Sequence, residues 1–186
     1  AFVDRDGTDD GKPILLKDLN PAGSAPYHLI NTTVNLPSST SNTLRDRKGD
    51  FFLFSKHWCG APAVGYLPTG DWRMNKLKPD LATAMAVSGA AFSSHMGLAS
   101  MPTLSALLTF LNVRLGFWIR NPKERSRFET PGLSHLLREM TGVGMSEKEP
   151  WLNLSDGGHI ENMAVYELLR RRCKFIISIE IGRASL

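Results

Sequence analysis

The sequence predicts a single α/β domain in which helices cover a mainly parallel sheet. The main evidence lies at residues 151–181: residues 151–154 are strand-like, residues 160–172 place apolar side chains at helical spacing, and residues 174–181 are strand-like again. A strand, turn, helix and strand within about 30 residues form a unit that closes right-handed with its strands parallel. Residues 51–54 are apolar on both faces, as expected of a strand in a sheet covered on two sides.

Local patterns predict the other elements. Pro79 and Asp80 suit the start of a helix, because proline fits its first turn and aspartate caps it. In chain order, the other predicted elements are an edge strand or docked turn at 14–16, a strand with one polar face at 27–36, a strand at 63–67 that neighbours the strand at 51–54, a helix at 79–96, and an amphipathic helix at 133–140 that ends at Gly142.

Residues 101–119 form the most apolar window, and its length approaches the roughly 20 residues that span a bilayer. Arg114 argues against spanning, because a central arginine costs about 2.5 to 3.5 kcal/mol on insertion scales. We therefore predict a buried helix followed by an extended stretch. The alternative is a helix that lies in the membrane interface and binds lipid.

Composition indicates a folded protein, since 186 residues suffice for one domain and the 42% hydrophobic and 22% charged residues exclude disordered and fibrous classes. The net charge of +4 favours anionic surfaces such as phospholipid headgroups. The basic residues lack the interleaved aromatic residues of a single-strand nucleic-acid platform, so nucleic acid is not a predicted partner.

Cys59 and Cys173 lie outside any Cys-x-x-Cys spacing, which predicts two packed thiols and no zinc or redox site. The sequence shows no secretory signal. These features favour a reducing compartment and predict a cytoplasmic or peripheral membrane location.

Asp156 is the residue best placed for chemistry. It follows the strand at 151–154, and functional crevices in open parallel sheets lie beyond the carboxyl ends of strands. Gly157 and Gly158 allow a sharp turn and close approach to a ligand. The residues alone leave two interpretations equally open, a helix N-cap and a catalytic base. His159 is a candidate acid or base, but one histidine by a helix start is more often a hydrogen-bonding or surface residue.

The run Ser155-Asp156-Gly157-Gly158-His159-Ile160-Glu161-Asn162, with the helix and strand expected after it, resembles the second signature of patatin-like phospholipases. In that family an Asp-Gly-Gly or Asp-Gly-Ala turn supplies the catalytic aspartate. Residues 84–91 resemble the Ala- and Ser-rich helix of the family, and residues 26–32 resemble the preceding strand. The resemblance covers most of the chain and is closest to the large patatin-like proteins.

This resemblance implies a three-layer α/β/α fold around a mainly parallel sheet, with residues 1–186 as a single, partial catalytic domain. It also implies a Ser-Asp dyad that hydrolyses phospholipid or lysophospholipid esters through an acyl-enzyme, without a metal or other cofactor. Asp156 would be the general base. Gly157 and Gly158 would shape the turn, and Asn162 would hold it to neighbouring backbone.

The sequence departs from the family pattern because it contains neither a Gly-x-Ser-x-Gly nucleophile elbow nor the oxyanion glycine run before it. We expect these parts upstream of Ala1, in the remainder of the same polypeptide, and interpret the chain as a fragment. The rival nucleophile is Ser88, but it lies in a helical pattern, whereas an elbow needs a strand-to-helix turn. The alternative function is a noncatalytic lipid-binding or scaffold module, and peripheral membrane contact fits either.

Overall fold

The computed structural model describes residues 13–19, 26–72, 78–89, 117–121, 123, 133–161 and 163–179. Its strands are β1 (Leu29–Asn35), β2 (Gly49–Ser55), β3 (Trp58–Ala61), β4 (Gly65–Pro68), β5 (Phe117–Arg120) and β6 (Trp151–Asp156). Its helices are α1 (Leu81–Ser88), α2 (Leu133–Thr141) and α3 (Tyr166–Arg170), with short 3-10 turns at Leu16–Asp18 and Gly157–His159.

The six strands form one curled antiparallel sheet in the order β4-β3-β2-β1-β6-β5. The predicted three-layer α/β/α fold around a mainly parallel sheet is therefore wrong. The strand–helix–strand unit does not form, because β6 lies between β1 and β5 and is antiparallel to both. Residues 174–179 belong to no strand, and Phe175 and Ile177 in that segment are 92% and 87% exposed.

One face of the sheet carries the apolar core. Successive strand residues point to opposite faces, so Val34, Phe52 and Leu154 share a face. They pack in one cluster with Leu81, Ala84 and Val87 of α1, with Trp72 and with Leu16. Helix α1 thus covers the apolar face across β1 and β6.

The opposite face has a buried polar centre made by β1 and β6. Asn31, Thr33 and Asn35 of β1 lie beside Asn153 and Ser155 of β6, and all five are buried. The polar face predicted for strand 27–36 is confirmed, although it is packed against protein and not against water.

The two later helices contact this second face. Tyr166 of α3 stacks on Phe51 of β2 with ring centroids 4.3 Å apart. His135 of α2 lies edge-on to Trp118 and Trp151, at centroid distances of 5.0 Å and 5.9 Å.

Several local predictions are confirmed. Strands 27–36, 51–54 and 151–154 appear as β1, β2 and β6, and the helix at 133–140 appears as α2. Helix α1 begins as predicted, because Asp80 Oδ1 accepts the Thr83 N–H at 2.8 Å. The apolar run at 14–16 is a docked turn. Leu15 forms an isolated antiparallel β-bridge with Asp80, and the Leu16 N–H donates to Pro79 O.

Other local predictions need correction. Strand 63–67 overlaps β4, but its neighbour is the unpredicted β3 and not β2. The helix predicted over 160–172 is limited to α3, because Gly157–His159 is a 3-10 turn and Ala164 has a φ of 53°, in the left-handed region. Residues 90–96 of the predicted long helix lie outside the described residues.

The apolar window at 101–119 is described only from residue 117, where β5 begins, in agreement with the predicted extended end. Residues 101–116 lie outside the described residues. Among the residues that are described, no helix has both the length and the apolar character needed to cross a membrane.

Candidate functional site

Asp156 is the last residue of β6, and its carboxylate is fixed by the turn that follows. Its Oδ1 accepts the Gly158 N–H at 2.9 Å, so the side chain caps the 3-10 turn. The structure thus confirms that the Asp156 side chain is an N-cap. The carboxylate is partly exposed, and within the described part of the chain no donor is bonded to Oδ2. A cap through one oxygen leaves the other able to accept a proton.

Gly157 is required by close packing against β1. A Cβ at this position would lie 2.7 Å from Asn31 O and 3.0 Å from the Asn31 carbonyl carbon. Those atoms belong to the backbone of a strand in the middle of the sheet, so they cannot move aside cheaply. The absence of a side chain at Gly157 therefore lets the turn contact β1 directly.

His159 anchors the turn from the polar face of the sheet. Its Nδ1 lies 2.9 Å from Asp156 O and 3.2 Å from Ser155 Oγ. A carbonyl oxygen only accepts, so Nδ1 carries the hydrogen and donates it to Asp156 O. His159 is thus a hydrogen-bonding residue, the more ordinary of its two interpretations.

Ser155 connects His159 to a buried amide network. Asn35 Nδ2 donates to Ser155 Oγ at 3.0 Å and to Asn153 Oδ1 at 2.7 Å. Ser155 Oγ lies 3.3 Å from Asn35 Oδ1 and donates its hydrogen there. The network ties the last residues of β6 to β1, which is 118 residues away in sequence at the Asn35–Asn153 bond.

Sequence reasoning missed Asn31, Asn35 and Asn153 as site residues. The signal that could have found the first two is the alternating polarity of β1, which places Asn31 and Asn35 on one face. Asn31 Oδ1, Asn153 Nδ2 and His159 Nε2 are buried and have no hydrogen-bond partner among the described residues.

Ser88 lies close to the same turn. It is the last residue of α1, and its Oγ donates to Asn31 O at 2.7 Å, the carbonyl that Gly157 packs against. The structure therefore brings Ser88 and the Asp156 turn together around Asn31. The Ser88 hydroxyl is bonded to a carbonyl and lies at a helix C-terminus, where the dipole opposes an anion. Asn162 lies outside the described residues.

A charged cluster lies beside α3. Glu167 is buried and accepts from both Arg170 and Arg171, and Arg170 lies over the Tyr66 ring, 6.0 Å from its centroid. Burial raises the pKa of the Tyr66 hydroxyl, and Glu167 and Asp50 act in the same direction against the opposing charge of Arg170. The ion pairs of Glu167 are local to α3 and the residue that follows it, and the Arg170–Tyr66 contact joins α3 to β4.

The described ranges contain no group of three His, Cys, Asp or Glu side chains arranged to hold a metal ion. Cys59 is buried, as predicted, whereas Cys173 is exposed, so the prediction of two packed thiols is wrong for Cys173.

Comparisons with protein-family models, curated proteins and solved structures found no match to this chain. The resemblance of residues 155–162 to the patatin-like signature thus stays a prediction from the sequence.

Proposed function

We propose that this chain is part of a serine lipid acyl hydrolase in which Asp156 is the general base. The observation that supports the proposal is the half-bound carboxylate: Oδ1 is held by the Gly158 N–H, while Oδ2 has no bonded donor among the described residues. A base needs a fixed direction and a free lone pair, and this arrangement offers both. The second support is the sequence resemblance at residues 155–162.

In the proposed reaction, Asp156 accepts the proton of a serine hydroxyl as the serine oxygen attacks the ester carbonyl carbon. The alcohol leaves with the proton that Asp156 accepted. Asp156 then takes a proton from the water that attacks the acyl-enzyme, and that proton passes to the serine oxygen as the fatty acid leaves. Backbone N–H donors stabilise the oxyanion. Because the sequence has no Gly-x-Ser-x-Gly elbow, we propose that the serine comes from a part of the polypeptide outside residues 1–186. The proposed substrates are phospholipid or lysophospholipid esters.

The test is Asp156→Asn in the longest natural polypeptide that contains this chain, assayed with a p-nitrophenyl ester and with phosphatidylcholine vesicles. Asparagine keeps a cap acceptor but cannot take the proton, so kcat should fall by about 100-fold or more while the unfolding midpoint changes little. The control is Asp80→Asn, since Asp80 Oδ1 also accepts a backbone N–H as a cap, while its Oδ2 accepts the Thr83 hydroxyl in addition. If Asp156→Asn and Asp80→Asn both retained the turnover of the parent, Asp156 would have no part in the mechanism.

Ser88→Ala, in the same assay, tests the alternative nucleophile. The variant loses the hydrogen bond to Asn31 O, which costs roughly 1 kcal/mol of stability, but it should retain turnover. Loss of hydrolysis with an unchanged fold would make Ser88 the nucleophile.

A noncatalytic lipid-binding module is the second candidate function. It is favoured by one observation: among the described residues, no serine hydroxyl is hydrogen-bonded to the Asp156 carboxylate. The net charge of +4 supports peripheral contact with anionic lipid. This candidate requires vesicle co-sedimentation that depends on anionic lipid together with no ester hydrolysis, and hydrolysis lost in Asp156→Asn would refute it.

A further inference from the structure

The Asp156 carboxylate and the His159 ring lie on opposite sides of the sheet. Strand alternation places the Asp156 side chain on the apolar face, with Leu152 and Leu154, whereas Ser155 points to the polar face. The His159 ring is bonded to Ser155 Oγ, so it lies on the polar face. His159 therefore contacts Asp156 through the backbone carbonyl and not through the carboxylate.

Two local hydrogen bonds hold Asp156, beside its pairing with Thr32 of β1. The carboxylate Oδ1 accepts a hydrogen bond from the Gly158 N–H, and the Asp156 carbonyl accepts one from His159 Nδ1. The carbonyl bond acts on the peptide unit between Asp156 and Gly157, and the carboxylate bond involves the next peptide unit, which carries the Gly158 N–H. The carbonyl bond thus opposes rotation of the first peptide, and such a rotation would also shift the Gly158 N–H that holds Oδ1.

The His159 ring is itself held by buried groups. Ser155 is 1% exposed, and its hydroxyl is bonded to Asn35, which is also bonded to Asn153. Because every hydrogen on the Asn35 amide nitrogen is used within this network, the network has few alternative arrangements. Ser155 Oγ, itself held by Asn35, thus lies 3.2 Å from Nδ1 and can share the hydrogen that Nδ1 donates to Asp156 O.

We propose that His159 is a positioning residue that sets the direction of the Asp156 carboxylate, with Ser155 and Asn35 as its support. The proposal rests on the proposed role of Asp156 as a base. It assigns His159 no proton transfer. Because the carbonyl bond acts on geometry and not on substrate contacts, its loss lowers kcat and leaves KM nearly unchanged.

A pair of substitutions separates positioning from general structural damage. His159→Asn places an amide N–H near the position of Nδ1 and can still donate to Asp156 O. His159→Gln is larger, and its amide extends toward the position of Nε2, which has no partner among the described residues. We expect His159→Ala and His159→Gln to lower kcat by about 10- to 100-fold, and His159→Asn to stay within about threefold of the parent.

The measurement is kcat and KM with the p-nitrophenyl ester in the longest natural polypeptide, beside the unfolding midpoint in urea. His28→Ala, at an exposed histidine before β1, is the control. If His159→Ala does not fold, the comparison of His159→Asn with His159→Gln tests the proposal. Equal kcat for those two variants, or an effect confined to KM, overturns the proposal. Activity retained in Asp156→Asn overturns the proposed function instead, so the two failures are distinguishable.

Discussion

Gly157→Ala tests the close contact between the Asp156 turn and β1. The new Cβ would lie 2.7 Å from Asn31 O, 3.0 Å from the Asn31 carbonyl carbon and 3.2 Å from Asn31 Nδ2. Overpacking of this kind costs about 1 to 3 kcal/mol, and we take the upper part of that range because two of the three atoms are backbone atoms of a paired strand.

The lower chain entropy of unfolded alanine offsets roughly 0.4 to 1 kcal/mol of this cost. The net loss of stability should therefore be about 2 kcal/mol. For a chain of this length that corresponds to a decrease in Tm of about 4 to 8 °C. The displaced turn carries Asp156, so ester hydrolysis should fall as well.

Gly70→Ala is the matched control, because a Cβ on Gly70 meets nothing within 4 Å. It should leave Tm unchanged or raise it slightly. Both variants are compared by thermal unfolding monitored by circular dichroism, and by urea unfolding. If Gly157→Ala were as stable as Gly70→Ala, the contact between the turn and Asn31 would not be as close as described, and the argument for Gly157 would fail.

Two further predictions concern buried titratable groups. Burial raises the pKa of the Cys59 thiol, against hydrogen bonds with Thr69 and Ser55, so iodoacetamide should label exposed Cys173 first and Cys59 at least about 100-fold more slowly until urea unfolds the chain; equal labelling rates in the native state would contradict this. Desolvation raises the pKa of Asp50 above 3.8, so its stabilising contribution is complete below that pH and is lost as pH rises through the folded-state pKa. The unfolding free energy of the parent minus that of Asp50→Asn should accordingly fall as the pH is raised above 3.8, and a difference that rises with pH would reverse the assigned sign.

Local patterns located most strands, but they could not determine how the strands pair. The β-branched and polar alternation of β1 and the apolar run of β2 are properties of adjacent residues, and both strands were found. One neighbour of β6 is β1, which the sequence places more than a hundred residues away. Residues 174–179 have strand-like composition, yet a strand also needs a partner, and none of the described strands pairs with them.

The candidate site could be predicted only in part, because its sequence signal is confined to the turn. Asp156 and its two glycines are adjacent in sequence, and the structure confirms a tight turn in which Gly158 binds the carboxylate. Asn35, which supports that turn through Ser155, comes from another strand. Its contribution depends on the register between β1 and β6, which no local pattern contains.

Hydrophobic periodicity located α2 and α3, but it did not predict which of their described side chains are buried. Leu137 and Leu169 are each 62% exposed, whereas Glu139 and Glu167 are buried. Both helices contact the sheet face whose centre is polar, and Glu139 there accepts from the Trp118 indole N–H at 3.2 Å.

A polar sheet face requires hydrogen-bonding partners, because a buried polar group without a partner costs roughly 1 to 3 kcal/mol. Helix α3 accordingly buries Glu167 and exposes Leu169, so the rule that the apolar stripe faces inward does not hold for it, and α2 buries His135 and Glu139 on this face. The same requirement explains His159, whose single Nδ1 hydrogen is donated to Asp156 O, with Ser155 Oγ 3.2 Å from the same nitrogen. The polar face thus specifies the turn that holds Asp156, and substitutions at Asn35 or Ser155 should affect that turn before they affect the apolar core on the other face.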